Sequence, residues 1–168
     1  VKVYAALCEV TPLRRIYLIV QWTGPGTRAS RVGKLVVLYV PVLSNKVWNH
    51  VSFIYRAVLL GVRLRSRHVN AVMSSEPTAA GVAGVFLKMI LRSPLLVHLQ
   101  GDILCLPAAH FSRMRRVLSR VVTVLVCGTA DRVRCVSQSI QTEAARAGID
   151  ARKLVLVSSR CNTREFDP

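Results

Sequence analysis

Glycine and arginine residues follow the first strongly apolar run of this sequence, and they are of a kind that could hold an anionic or hydroxylated ligand. Gly24 and Gly26 come directly after the run Arg15–Trp22, where glycines let backbone amides approach a phosphate or a sugar closely. Arg28 and Arg31 would add positive charge beside such a group. Because the loop is neither a G-x-G-x-x-G nor a Walker sequence, an ordinary Gly-Pro turn is the stronger interpretation of the residues alone.

A second polar cluster, Gln100, Gly101 and Asp102, follows the apolar run Leu95–Leu99. A glutamine side chain cannot act as a general base, so the role open to Gln100 in binding is hydrogen bonding to a ligand hydroxyl. Asp102 could contact the ligand or cap the segment that follows, and the sequence leaves both interpretations open. His98 lies two positions before Gln100, and an ideal strand would place the two side chains on one sheet face.

Glu76 and Ser137 also follow apolar runs, and each has a structural interpretation beside a binding one. Glu76 could hydrogen-bond a sugar, but an acidic side chain at a helix start interacts favourably with the helix dipole, which is the stronger interpretation. A serine at the position of Ser137 is explained by N-capping of a helix, and a binding role is the weaker interpretation. Since neither a Ser-His-Asp order nor a carboxylate pair is evident, the sequence assigns no catalytic residue.

The pattern of apolar residues predicts the elements that position these side chains. Short apolar runs predict strands at Arg15–Trp22, Lys34–Val40, His68–Ser75, Leu95–Leu99, Arg132–Val136 and Lys153–Val157. Helical periodicity predicts helices from Asn45 to Gly61 and at Glu76–Leu91, Ala108–Ala130 and Gln138–Ala147. This alternation predicts an α/β fold with a Rossmann-like, mainly parallel sheet and helices on both faces. In such sheets ligands bind beyond the carboxyl ends of the strands.

Two of the predicted helices carry an apolar stripe. In the first helix the stripe predicts one buried face, composed of Val47, Trp48, Val51, Ile54, Tyr55, Val58, Leu59 and Val62. In the helix Ala108–Ala130 the stripe predicts a long amphipathic helix and consists of Phe111, Met114, Leu118, Val121 and Leu125. Four arginines of that helix lie largely away from its stripe, namely Arg113, Arg115, Arg116 and Arg120.

The charge of the chain favours acidic partners. It has 24 Lys and Arg residues against 8 Asp and Glu residues, a formal charge of +16. Nucleic acid, an anionic membrane surface and phosphorylated small molecules all fit a positive field, although a GC-rich genome would also produce an arginine excess. The arginines are scattered without an RNP-like or zinc-finger pattern, which makes nucleic acid the less favoured partner.

A peripheral membrane-binding module is a further alternative, because the helix Ala108–Ala130 sets arginines beside an apolar stripe. The sequence has no charge-free run of the roughly 18 to 20 apolar residues that cross a bilayer, and its N-terminal residues lack the pattern of a signal peptide. We therefore expect a cytoplasmic protein that could contact the inner membrane face.

The cysteines and histidines show no metal-binding spacing. Five cysteines are widely spaced and form no C-x-x-C pair, which predicts that most are buried thiols: Cys8, Cys105, Cys127, Cys135 and Cys161. The four histidines form no H-E-x-x-H or similar motif. We therefore expect no bound metal.

The closing segment of the chain combines several short motifs in a fixed order. They are V-S-Q-S at Val136–Ser139, A-G-I at Ala147–Ile149 followed by Lys153, and an exit loop with Thr163, Phe166 and Pro168. This order resembles the end of the N-terminal domain of family 4-type glycosyltransferases, where V-S-x-S, A-G-I/V-x-x-x-K and a P-N-G-V-D-T-x-x-F-x-P loop follow one another. Positions 158–162 depart from the family loop. The segment Met73–Asp102 also resembles the family's run to an H-G-D strand end, with Gln100 in place of the histidine.

The resemblance implies a GT-B enzyme of two Rossmann-like domains, in which the N-terminal domain holds the acceptor and the C-terminal domain the nucleotide sugar. It implies retaining transfer without a metal, with the E-x7-E carboxylates for the donor in the C-terminal domain. By this resemblance residues 1–14 are an uncertain N-terminal extension, residues 15–157 the acceptor-side domain, and residues 158–168 an exit loop toward a missing second domain.

A division of labour between domains follows from that resemblance. The chain would bind a saccharide or a lipid-linked acceptor and hold no cofactor of its own. The nucleotide sugar would be a co-substrate of the full-length enzyme, bound by a second domain that could be separately encoded. The isolated chain would then be inactive.

Overall fold

The structure, a computed structural model, describes residues 14–24, 26–44, 46–100 and 112–157. The chain divides into two compact units, residues 1–60 and 61–168. The predicted exit loop, residues 158–168, lies outside the described residues, as does the predicted N-terminal extension apart from Arg14. The predicted bounds of one domain at residues 15–157 stay a prediction.

The first unit contains a three-stranded sheet in the order β1-β3-β2, formed by β1 (Ile16–Trp22), β2 (Arg28–Val32) and β3 (Leu35–Pro41). β3 is parallel to β1 and antiparallel to β2. β2 was missed by sequence reasoning because it is a polar edge strand with no apolar run. It joins β3 through a two-residue turn in which Gly33 has φ 57°, a conformation that glycine adopts at little cost.

The two apolar strands of this sheet differ in burial. β3 is the central strand, and its Leu35 and Val37 form a small core with partly buried residues of β1. The nearly continuous apolar run Arg15–Trp22 predicts a strand buried on both faces, but this prediction is wrong, since none of the seven residues of β1 is fully buried. β1 pairs only with β3 among the described strands, and an edge strand is covered less than a central one.

Helix α1 (Lys46–Leu64) is longer than the sequence predicted. Its predicted cap, Asn45, lies outside the described residues, and its predicted end at Gly61 is wrong. The helix continues to Leu64 and a 3₁₀ turn, and the chain leaves the turn at His68, whose φ is 49°. Gly61 fits inside the helix because a Cβ there would lie 1.9 Å from Cδ2 of Leu87, so the missing side chain leaves room for that leucine.

The predicted buried face of α1 is also wrong in large part. Most of its large apolar residues are exposed: Trp48, Val51, Tyr55, Leu59 and Val62. Among residues 48–64 of α1, those that are fully buried are small, namely Ala57 and Gly61. Periodicity therefore identified a stripe but not the side on which this helix packs, because small residues allow closer packing than large ones.

The second unit contains a four-stranded parallel sheet in the order β4-β5-β6-β7. Its elements are β4 (Val72–Ser74), α2 (Ala79–Leu91), β5 (Leu95–Leu99), α3 (Arg113–Thr129), β6 (Arg132–Cys135), α4 (Gln138–Arg146) and β7 (Leu154–Leu156). A 3₁₀ turn, Ala151–Lys153, precedes β7. The predicted α/β class with a mainly parallel, Rossmann-like sheet is confirmed.

The main core of this unit lies between the sheet and its helices. In register, Ser74 of β4 is opposite Val97 of β5, and Val97 is opposite Val133 of β6, so the three side chains share one face. α2 packs on that face, since a Cβ at Gly84 would lie 3.0 Å from Cδ1 of Leu95. The fully buried large residues at its centre are Leu95, Leu99, Val97 and Val133.

β4 and α2 begin several residues later than predicted. β4 covers Val72–Ser74 instead of His68–Ser75, because residues 68–71 form an irregular connection between the 3₁₀ turn Arg65–Arg67 and the strand. α2 begins at Ala79 instead of Glu76, with Thr78 at its N-cap position, so Glu76 lies before the helix.

Helix α3 begins after Ser112, whose Oγ accepts a hydrogen bond of 3.3 Å from the Arg115 backbone NH. Its buried residues are Thr123, Val126 and Cys127, whereas the described part of the predicted apolar stripe, from Met114 to Leu125, faces solvent. Phe111 and the predicted helix start at Ala108 lie outside the described residues. Within the described ranges, α3 and the other helices all fall short of the length and apolar character needed to cross a bilayer.

The amino ends of β5 and β6 are joined by the Asp131 carboxylate. Its Oδ2 accepts hydrogen bonds from Nζ of Lys88, at 2.8 Å, and from the Leu95 backbone NH, at 2.7 Å. These bonds, that from Lys88 first, lower the pKa of Asp131. Lys88 also donates to the Thr129 carbonyl at 2.9 Å. The cluster therefore ties α2, the end of α3 and both strands together.

Replacing Asp131 with alanine is expected to lower the free energy of unfolding by about 1 kcal/mol, because two charge-assisted hydrogen bonds are lost at a site that water partly reaches. Urea titration followed by circular dichroism measures the change. Asp150→Ala is the control, since that carboxylate pairs mainly with the exposed Arg152 side chain. Equal losses for the two variants would contradict a special role of Asp131.

Candidate functional site

Three of the sequence-predicted site residues follow neighbouring strands of the parallel sheet. Glu76 comes after β4, Gln100 after β5 and Ser137 after β6, and these strands are adjacent in the order β4-β5-β6. Parallel strands end at the same edge, and neighbouring strands are about 4.8 Å apart. We call this edge the strand-end site and define it by Glu76, His98, Gln100, Arg134 and Ser137.

Glu76 holds the start of α2 in the strand-end site. Its Oε2 accepts a hydrogen bond of 2.8 Å from the Thr78 backbone NH, and its Oε1 accepts one of 2.6 Å from the Ala80 backbone NH. The Thr78 hydroxyl also donates to Oε2, and Ser74 Oγ donates to the Glu76 carbonyl. Both carboxylate oxygens are therefore engaged in helix capping, and binding of a sugar by Glu76 stays a prediction.

Ser137 is the N-cap of α4, as the sequence predicted. Its Oγ accepts a hydrogen bond of 3.3 Å from the Ile140 backbone NH. The same Oγ lies 2.9 Å from Oγ of Ser139. Ser139 is exposed and was not predicted as a site residue. The available signal was the S-x-S spacing, which places Ser139 two residues after the cap. The pair presents hydroxyl groups at the edge of the sheet.

His98 and Arg134 lie opposite each other on β5 and β6, so their side chains share a sheet face. His98 is buried, and burial together with the Arg134 charge lowers the pKa of its imidazole. Arg134 also donates from Nε to the Val157 carbonyl at 3.1 Å, which connects β6 to the exit from β7. Sequence reasoning missed Arg134; the available signal was a basic residue placed between apolar neighbours in a strand.

Gln100 follows His98 directly beyond the end of β5, and its side chain is exposed. Its amide can donate and accept hydrogen bonds. The adjoining Gly101 and Asp102, which the sequence also singled out, lie outside the described residues. The described part of the strand-end site thus offers an amide, hydroxyl groups, a guanidinium and an imidazole. These groups suit hydrogen bonding to hydroxyl-rich or anionic ligands.

The low pKa of His98 predicts a loss of stability in mild acid. Below pH 6.5 the unfolded chain binds a proton at His98 more readily than the folded chain does, so the free energy of unfolding falls as the pH decreases through this window. The loss is at most about 1.4 kcal/mol per pH unit. Urea titrations at neutral and mildly acidic pH measure it. In His98→Gln the difference between the two pH values should become smaller, and an unchanged difference would contradict the assignment.

The predicted glycine loop belongs to the first unit, and its geometry is explained by packing on Trp22. Nε1 of Trp22 donates to the Gly26 carbonyl at 3.1 Å. A Cβ at Gly24 would lie 2.2 Å from the Trp22 ring, so a larger residue would collide with it. Arg28 is exposed at the start of β2. The turn interpretation accounts for both glycines, and ligand binding by Gly24, Gly26 and Arg28 stays a prediction.

The described cysteines and carboxylates do not form a metal centre. Among residues 14–24, 26–44, 46–100 and 112–157, no three His, Cys, Asp or Glu side chains come together as metal ligands would. Cys127 and Cys135 are free, buried thiols, as the sequence predicted. Burial, with a smaller contribution from Cys135, raises the pKa of Cys127 to about 12, which makes this thiol unreactive. The expectation of a metal-free protein stays a prediction.

The four-stranded parallel sheet with helices packed on it places the second unit among Rossmann-like α/β domains. No family model matches the chain, and no curated protein matches it. Solved structures of Anabaena Alr3699/HepE do match in fold. The complex with UDP has a TM-score of 0.54 and 21% identity, over 76% of this chain and 32% of that one.

Two further complexes of Anabaena Alr3699/HepE give the same result. The structure with UDP and glucose matches at a TM-score of 0.53 and 22% identity, over 79% of this chain and 33% of that one. The structure with UDP-glucose matches at 0.54 and 21% identity, over 75% and 31%. This chain therefore spans about a third of the length of these proteins, and the likeness at this identity is one of fold.

Proposed function

We propose that this chain is the acceptor-side domain of a glycosyltransferase and acts together with a second domain that binds a nucleotide sugar. The observation that carries the proposal is the strand-end site itself. Gln100 follows β5, Arg134 lies near the end of the adjacent parallel strand β6, and Ser137 comes after β6. Ligands of open α/β sheets bind at this edge. The fold likeness to a protein crystallised with UDP-glucose supports a nucleotide sugar as the co-substrate of the proposed enzyme.

The chemistry of the groups at the strand-end site suits a saccharide acceptor, free or lipid-linked. The Gln100 amide and the Ser139 hydroxyl can donate to and accept from sugar hydroxyls. Arg134 supplies a positive charge that would attract an anionic acceptor, such as a sugar phosphate. His98 is neutral at pH 7 because its pKa is lowered, so it can accept a proton or a hydrogen bond at one ring nitrogen.

Donor binding is assigned to a second domain. Among the described residues of the strand-end site, Glu76 is the only carboxylate. Its oxygens are engaged at the start of α2. In the proposed enzyme the nucleotide sugar is a co-substrate, transfer retains the anomeric configuration, and no metal takes part. The 168-residue chain alone then binds acceptor without transferring sugar.

Amide NMR of the ¹⁵N-labelled chain tests the binding. Titration with glucose, a glucose disaccharide and a glucose phosphate should shift the amide signals of Gln100, Ser137 and Ser139 at millimolar ligand, and Gln100→Ala should reduce the affinity several-fold. Gln21→Ala is the matched control, because Gln21 is an exposed glutamine of β1 in the first unit. Shifts that spread over the whole chain, or no shifts with any of the three sugars, would contradict the proposed site.

An assay with radiolabelled UDP-glucose tests the division of labour. The chain alone should transfer no label to added saccharide or lipid-linked acceptors. Robust transfer by the chain alone would overturn the assignment of the donor site to a second domain, while leaving acceptor binding intact.

A further inference from the structure

The apolar stripe of α3 faces solvent, although a helix of a globular protein normally turns its apolar face to the core. The exposed fractions of its five large apolar side chains are 80% for Met114, 56% for Val117, 62% for Leu118, 49% for Val121 and 65% for Leu125. The opposite side of the helix packs inward through Thr123, Val126 and Cys127. The inward side of α3 is therefore already used, and its outward side, which we call the α3 stripe, is a second and wholly apolar face.

Arginine side chains flank the α3 stripe. With about 100° of rotation per residue, Arg113 and Arg120 lie on one side of Met114, and Arg115 lies on the other. The sequence of α3 contains no Asp or Glu. Long arginine side chains can extend along a helix so that their guanidinium groups reach the level of its apolar face. An apolar strip bordered by cations on both sides results.

We propose that α3 docks on an anionic lipid bilayer, lying in the plane of the interface. The α3 stripe enters the boundary between headgroups and acyl chains, and Arg113, Arg115 and Arg120 contact lipid phosphates. Charge complementarity selects this occupant, because arginines flank the stripe on both sides in the first half of α3, the helix contains no Asp or Glu, and the whole chain carries +16. The inference rests on α3 alone and holds whether or not the strand-end site binds a saccharide.

Sedimentation of the full chain with lipid vesicles tests the proposal. The chain should bind vesicles of phosphatidylcholine mixed with phosphatidylglycerol, bind phosphatidylcholine alone much more weakly, and dissociate as salt is added. Leu118→Asp should lower the partition coefficient at least about tenfold, since a carboxylate among acyl chains is costly and repels anionic lipid. Met89→Asp is the matched control, because Met89 of α2 is an equally exposed large apolar residue outside the stripe, so this variant should bind as the wild type does.

A charge series provides an independent arm that does not alter the apolar stripe. Arg113→Gln combined with Arg120→Gln should weaken binding to the anionic vesicles and reduce its dependence on salt. Arg63→Gln combined with Arg146→Gln removes the same charge from exposed positions elsewhere and should have a clearly smaller effect. Equal effects of the two pairs would overturn docking through α3 in favour of diffuse attraction.

Two other results would also overturn the proposal. One is the absence of wild-type binding to the mixed vesicles at low salt, and the other is unchanged binding by Leu118→Asp. Sedimentation velocity of the wild type and Leu118→Asp identifies a competing occupant: a dimer that Leu118→Asp dissociates, without vesicle binding, would assign the stripe to a second copy of the chain. Circular dichroism of each variant checks that it is folded, and Leu125→Asp replaces Leu118→Asp if that variant does not fold.

Discussion

Replacing Leu95 with alanine should lower the free energy of unfolding of the second unit by about 3 kcal/mol, because three carbons are removed from a tightly packed core. Leu95 is 1% exposed at the start of β5, which is paired on both sides by β4 and β6. Its side chain lies against Gly84 of α2, so its removal leaves a cavity between the helix and the sheet. Urea unfolding followed by circular dichroism measures the change.

The control for this variant is a leucine of the same sheet that is much less buried. Leu156 of β7 is 45% exposed, and Leu156→Ala should cost under about 1 kcal/mol. A loss for Leu95→Ala as small as that for Leu156→Ala would show that the core around β5 is not packed as described.

A double-mutant cycle separates the cavity from the lost apolar area. A Cβ at Gly84 would lie 3.0 Å from Cδ1 of Leu95 and 3.6 Å from Cβ of Ser74, so Gly84→Ala alone should crowd the leucine. In the presence of Leu95→Ala the added methyl group has room. The double variant should therefore be more stable than the sum of the single variants indicates, by about 1 kcal/mol.

Replacing Gly81 with valine should destabilise the second unit by about 2 to 3 kcal/mol through overpacking between α2 and α3. A Cβ at Gly81 would lie 2.8 Å from Cγ1 of Val126 and 3.1 Å from the backbone carbonyl oxygen of Glu76. The carbonyl oxygen belongs to the segment that caps α2 and cannot move as freely as a side chain. Gly81→Ala should have a smaller effect of the same sign, so that thermal and urea unfolding give a graded series.

Gly128 provides the matched control for this series. It is an exposed glycine near the end of α3, and a Cβ there would meet no atom within 4 Å. Gly128→Ala should stabilise the protein by about 0.5 to 1 kcal/mol, because alanine loses less backbone entropy in a helix. If Gly81→Val were neutral like an exposed substitution, the close approach of α2 and α3 would be refuted.

The sequence predicted elements best where local signals mark both ends. The predicted strand Leu95–Leu99 has the observed bounds, since Pro94 precedes it and polar Gln100 follows it. α4 was predicted to within one residue from the cap Ser137 and the closing Gly148. β2 could not be predicted in this way, because its residues are polar and its stability comes from pairing with β3.

The faces of the helices were harder to predict than their positions. In α3 the apolar stripe was correct as a pattern, but the helix packs through Thr123 and Cys127, whose small side chains permit a close approach. In α1 the buried residues are likewise small, such as Ala57. Hydrophobicity alone ranks the large residues first, so periodicity identifies the stripe without identifying its neighbour.

The candidate site was predictable only in part, for a related reason. Gln100 and Ser137 were found because each follows an apolar run directly, a property of local sequence. Arg134 was not found, because its position beside His98 depends on the pairing of β5 with β6, which lie more than thirty residues apart in the chain. Strand order is a long-range property that no short motif in this sequence records.

The edge position of β1 has a consequence for handling the protein. Its sequence IYLIVQW is seven residues long, uncharged and rich in β-branched and aromatic residues, which is the composition of segments that stack into cross-β fibrils. Among the described strands only β3 pairs with it, so within this part of the chain the other edge of β1 has no strand partner. A charged residue such as Lys in place of Ile19 is therefore expected to raise the concentration at which the chain stays dispersed.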